Sequence, residues 1–217
     1  MAITLNGTTG IVTADGSVGA PGLKGTDADS GVSFAADTIK FSTGGVERMA
    51  ISNSGVSGGG KILQVKQTVL SGVISETVAV NTYEDIAGFS CSIIPATGSK
   101  VLVMYSANTA TTSGQYNLKI QLVRGSTAIA QGDQVGSNRT RATTGAWSPG
   151  DAYHILEQTM TFLDASPGGD GSTAITYKLQ WTDAYAQEIY LNRNDVDADN
   201  AYAFTQISSM TLMEVGA

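Results

Sequence analysis

Apolar residues at every second position are the feature that most restricts this chain. The run Tyr116 to Val123 alternates cleanly. A period of two sends successive side chains to opposite faces of an extended backbone, so it predicts a strand with one face against a core. Further strands are predicted over Ile62–Val69, Thr77–Val80, Phe89–Ile94, Lys100–Tyr105, Thr127–Ala130, Thr173–Trp181, Glu188–Asn192 and Tyr202–Met213. His154–Leu163 has a possible helix cap in Asp151, but its later half alternates, and Thr159 and Thr161 favour a strand. Turn signals recur between these runs. The expectation for 61–217 is a β-sandwich, jelly-roll-like, in an all-β chain.

Residues 1–60 read differently. Short runs are broken by Gly and Asp, and Gly58-Gly59-Gly60 is a hinge by composition, so a boundary is placed there. Ile3-Thr4-Leu5, Asn6-Gly7 and Gly10–Thr13 predict a first hairpin, with a second turn at Asp15-Gly16. Gly16, Gly19, Gly22 and Gly25 follow the collagen period, but four glycines are too few to hold a triple helix, and turn-forming glycines are preferred. Thr38–Ser42 and Val46–Ile51, split by Gly44-Gly45, predict another hairpin. Isolated hairpins are marginal in water, so this extended hairpin or shaft segment needs partners. Intertwined copies would supply them and cover the strand edges.

Charge limits the partners. Only 14% of the 217 residues are charged, the net charge is −7, and no Lys/Arg cluster is present. Nucleic acid is therefore not an expected partner. No apolar run approaches the ~20 residues of a membrane helix, and Met1–Thr4 has no signal-peptide pattern. No membrane insertion and no Sec export are expected. The single cysteine, Cys91, lies in a predicted buried strand and reads as an inert core thiol.

Two stretches resemble phage structural proteins. Thr43–Gly55, with Gly44-Gly45-Val46-Glu47-Arg48-Met49-Ala50-Ile51 leading to Ser54-Gly55, resembles a repeat of bacteriophage tail-fibre shafts. Ser33–Ile39 resembles the strand that precedes it. Thr176–Trp181, Ile189–Arg193 and Ile207–Val215 resemble the terminal β-domain of phage fibre-like proteins. Together the matches cover about half the chain. A long fibre would show several shaft repeats; this chain shows about one. The resemblance implies a homotrimer in the virion, made in the host bacterial cytoplasm, attached to other phage virion proteins through its N-terminal part. The expected function is a short tail fibre or fibre tip that meets a host cell-surface glycan or protein. The alternative is a trimeric capsid decoration or cement protein.

Candidate chemistry is sparse. His154 is the only histidine, and no Gly-x-Ser-x-Gly elbow accompanies it. Gly55–Lys61 imitates a phosphate loop, but Ile62 stands where Ser or Thr would hold magnesium, so it reads as a linker. Asp195, Asp197 and Asp199 have calcium-loop spacing, but Asn200 and Gln206 replace the Gly and Glu of an EF-hand. They stand as metal candidates against a default of solvated loop, with Asp164, Asp170 and Asp183 as further members only if the fold brings them close. No cofactor and no enzyme activity are expected. Aromatic residues are the better hint of recognition: Tyr116, Trp147, Tyr153, Trp181, Tyr185 and Tyr190 bring flat area with a polar handle. Ala142–Gly150 reads as a loop carrying Trp147 and flanked by Arg139 and Arg141. Asn138–Asp151, with Tyr153 beyond it, is the expected contact surface.

Overall fold

The structure is a computed structural model that describes residues 5–6, 10–11, 14–58, 62–112, 117–147 and 150–216. Among these, all regular structure is β, in antiparallel sheets. The chain divides into two compact units, Met1–Leu63 and Gln64–Ala217.

The N-terminal unit is built from short strands. β1 (Leu5–Asn6) pairs with β2 (Gly10–Ile11). Asn6 is therefore in a strand and not in the turn its Asn-Gly pair predicts; Gly7, Val12 and Thr13 lie outside the described residues. β3 (Gly16–Ser17) pairs with β4 (Ala20–Pro21), so the turn is at Val18-Gly19 and not at Asp15-Gly16. Gly16 and Gly19 of the threefold period thus serve a hairpin, with Gly22 against its start and Gly25 beyond it. A Cβ on Gly16 would stand 2.3 Å from the Gly22 nitrogen, at a φ of +69°, and only glycine meets both conditions. A five-stranded meander follows: β5 (Leu23–Lys24), β6 (Gly31–Ala35), β7 (Thr38–Thr43), β8 (Val46–Ser52) and β9 (Gly55–Ser57), in that order. Gly44 and Gly45 both have positive φ, the geometry of the tight turn that joins β7 to β8.

The C-terminal unit holds two sheets. Its strands are β10 (Ile62–Leu70, which begins two residues before the boundary), β11 (Ile74–Thr77), β12 (Glu84–Ile93), β13 (Lys100–Thr111), β14 (Leu118–Arg124) and β15 (Thr127–Ile129). β16 (Thr144–Ala146), β17 (Leu156–Asp164), β18 (Ile175–Thr182), β19 (Glu188–Leu191) and β20 (Ser208–Val215) complete it. One sheet runs β10-β20-β13-β19-β11, with β17 on the free side of β13; the other runs β12-β18-β14-β15, with β16 also on β14. The alternation of each strand turns one set of side chains inward. Phe89, Ile93, Val101, Val103, Ile120, Leu122, Tyr177, Leu179, Trp181, Ile189, Met210 and Leu212 form one core between the sheets, each at 1% exposure or less. Cys91 is buried beside them.

β19 and β20 occupy the same edge of β13 end to end, because β17 fills the other edge. The chain between them, residues 192–207, must leave the sheet and return. Asn192 anchors the departure. Its φ is +66°, its Nδ2 donates to Leu70 O and Gly72 O at 2.9 Å, and its Oδ1 accepts from Ser208 Oγ at 2.6 Å. Fully buried, it ties three parts of the unit together.

Candidate contact surfaces

The strand registers decide which face each side chain of the N-terminal meander takes, since directly paired residues share a face. Leu23, Val32, Phe41 and Met49 align across β5 to β8. Phe34, Ile39, Ile51 and Val56 form a second row across β6 to β9. A bulge between Phe41 and Ser42 keeps Val46 on this same face, opposite Thr43. Every large side chain of the two rows is apolar. None is buried; Val56 is 65% exposed, Val46 51% and Leu23 47%. The opposite face carries Ser33, Lys40, Ala50 and Ser57, with a 3.0 Å ion pair between Lys40 and Glu47. The buried side chains of this meander are Ser33, Ser42 and Ala50, all small. The usual order, large apolar residues inside, is inverted.

In the C-terminal unit the expected contact residues fall into separate clusters. Arg139 and Arg141 are exposed on a loop tied to the start of β12. Tyr83 Oη donates to Arg141 O at 2.7 Å, Thr140 Oγ1 to Asn81 Oδ1 at 3.3 Å, and Arg141 Nε to Gly132 O at 2.7 Å. Burial, and more weakly the nearby Tyr105, push the Tyr83 phenol up to about 12, so it stays a donor at neutral pH. Trp147 directly follows β16 and is 62% exposed. Thr144–Ala146 is thus a strand where a loop was expected. Three residues are enough to pair with Leu118–Ile120, but too few to show a period. Ser148 and Pro149, inside the expected surface, lie outside the described residues.

Tyr153 belongs to another group. Its ring meets Tyr202 edge-on, with centroids 6.2 Å apart at 71°. Ala152 O accepts from Asp195 N at 3.1 Å and Val196 N at 3.3 Å, which brings the loop before β17 against the 192–207 excursion. Tyr202 is 75% exposed, and Phe204 is exposed beside it. Both lie where Tyr202–Met213 was expected to be strand. β20 begins only at Ser208, so these aromatics sit on a loop. The alternation in this stretch concealed them. Among the remaining expected aromatics, Tyr185 is exposed, Trp181 and Tyr190 are core, and Tyr116 lies outside the described residues.

The acidic candidates do not converge. Asp195 Oδ1 accepts from Tyr190 Oη at 2.9 Å, and Asp197 stands 3.9 Å from Arg193, whose guanidinium lies 3.9 Å over the Tyr190 ring. Asp164 takes both its Arg124 contacts and the Tyr177 hydroxyl, at 2.7 to 2.9 Å. Asp170 accepts from Thr173 Oγ1, Thr173 N and Ser172 N, which hold its carboxyl well below the usual range. Asp183 accepts from Tyr185 N and Asn117 N. Among the described residues no group of three His, Cys, Asp or Glu side chains stands close enough to hold a metal ion. Asp151, the possible helix cap, accepts from Tyr153 N in a local turn before β17. His154 lies on that turn, its N donating to Asp151 O at 3.2 Å.

The outer face of the first sheet offers a shallow depression of about 350 Å³. Met104, Ser106, Thr159, Thr161, Ser209 and Thr211 line it, with no charged side chain. No protein-family model matches the chain, and no curated protein matches it in sequence.

Proposed function

We propose that this chain is a non-enzymatic structural protein of a bacteriophage particle, a short homotrimeric tail fibre or fibre tip that contributes to host-surface attachment. The observation that carries the attachment role is the exposed aromatic group of Tyr153, Tyr202 and Phe204. It is raised on loops above a sandwich-like unit whose core is closed. Loops on a rigid scaffold are where binding residues concentrate. The flat rings, with a hydroxyl on Tyr153 and Tyr202, suit both sugar faces and protein surfaces. The shaft-type stretch Thr43–Gly55 and the C-terminal stretches support the phage assignment by resemblance, and the virion is the proposed location.

Competition for host cells tests the reading. Purified wild-type protein is expected to block adsorption of the phage, and Tyr202→Ala or Trp147→Ala to weaken that block. Particle labelling adds the location. Label on the tail supports the fibre. Label on the head, with no adsorption block, overturns it in favour of a decoration protein.

A further inference from the structure

The geometry points to a self-association surface: the apolar face of the N-terminal meander packs against the same face of further copies of this chain. Three observations lead there. A sheet with one apolar face needs a second layer over it, yet Val32, Phe34, Phe41 and Met49 stay only half-buried and Ile39 and Ile51 are exposed. The side chains that are buried, Ser33, Ser42 and Ala50, provide almost no apolar surface. The unit is a layer without its counterpart.

The second observation is charge. The chain carries 19 acidic and 12 basic residues, for a net −7, so two copies repel over most approaches. The two apolar rows carry no charge and the Lys40–Glu47 pair lies on the reverse face; the cation that reaches this face is Arg48, beside the rows, where it donates to Thr43 Oγ1 at 2.9 Å. An identical partner meets the two rows themselves without like-charge contact, and the Arg48 charge stays beside them, bound to Thr43.

The third is size. Five strands about 4.8 Å apart, with five to seven residues in the longer ones, give a face of roughly 400 Å². That is the size of the largest apolar patch on a typical chain, which is often a functional surface. Three such faces turned towards one axis remove on the order of 1,200 Å² over the assembly as a whole, about 400 Å² at each contact between two copies. The open edges β5 and β9 lie at the corners of that arrangement, where neighbouring copies cover them. The count of three rests on the proposed function; the face itself does not.

The test is the solution mass of the full chain, wild type against the double variant Ile39→Lys/Ile51→Lys, by light scattering behind a sizing column. Three subunits for wild type and one for the variant, with near-ultraviolet circular dichroism unchanged, is the expected result. Since the variant could disturb the meander itself, a second chain carries Ile51→Cys with Cys91→Ser. A short bis-maleimide is expected to join its copies. An assembled wild type whose lysine variant keeps full mass, and whose Ile51→Cys chain does not cross-link, overturns the face and leaves the trimeric reading standing. A two-subunit wild type that the double variant dissociates supports the face and overturns the count. A folded monomeric wild type overturns both.

Discussion

The two units of this chain bury opposite kinds of side chain. In the C-terminal unit Phe89, Tyr177 and Trp181 are fully enclosed between two sheets. In the N-terminal unit, Ser33, Ser42 and Ala50 are buried while Val46 and Val56 are more than half exposed. Both units use alternating antiparallel strands, so secondary structure does not separate them. The difference is whether a second layer is supplied within the unit. A unit that closes its own core folds as an individual. If copies of the open apolar face cover one another, as proposed, the stability of that unit is tied to copy number and mass action enters its folding.

That contrast is sharpest for large-to-small substitutions. Trp181→Ala removes the largest side chain of the closed core and its 3.1 Å hydrogen bond to Glu76. It is expected to cost about 3–5 kcal/mol in urea unfolding, at every protein concentration. Ile51→Ala should cost a separated chain no more than about 0.5 kcal/mol, and its effect should grow as copies associate. Equal, concentration-independent losses at both positions would erase the distinction.

Next in size is Arg124→Met. It leaves Asp164, buried against Tyr177, without its cation. The expected loss is about 3 kcal/mol, at the low end for a broken buried pair because Arg124 is itself partly exposed. Asn192→Ala follows at about 2 kcal/mol, from three side-chain hydrogen bonds and a left-handed backbone that alanine tolerates poorly. Both losses belong in the unfolding of the C-terminal unit; a change in assembled mass at constant stability would contradict the separation.

Acid should also act unequally. Lys178 and then Gln180 hold the Asp85 carboxyl below its usual range. Burial raises that of Glu214, but hydrogen bonds from Gln64, Ala96 N and Ser99 outweigh it and leave it lowered. A carboxyl depressed in the folded state adds stability above its unfolded pKa and loses it as pH falls. The C-terminal unit should therefore weaken as pH drops below about 4. In the N-terminal unit Asp27 is lowered, mainly by Ser30, and Asp29 is raised by Asp27, so the two shift in opposite directions. A pH series of circular dichroism melts checks this. The smallest stability effect is expected from Tyr202→Ala, within about 0.5 kcal/mol because the ring is mostly exposed. Its loss should appear in adsorption.

The all-β class was legible because periods of two run through both units. The Gly44-Gly45 turn was legible because two positive φ values require such residues. Boundaries were less so. Thr77–Val80 reads as a strand, but pairing with β19 uses Ile74–Thr77. Val78 is buried just beyond that strand, and an apolar residue marks burial without marking pairing. Of the exposed aromatics, Trp147 and Tyr153 could be named in advance. Their separation into two groups could not, because Ala152 meets Asp195 and Val196 only through the 192–207 excursion. The apolar face of the meander was present in the sequence as alternation. Its openness was hidden, since alternation gives the face and not what covers it.

The most direct test compares solution masses of the full chain and of residues 64–217. An assembled full chain and a folded, single-subunit fragment are the expected result. A folded monomeric full chain, or a fragment that assembles as the whole does, would contradict it.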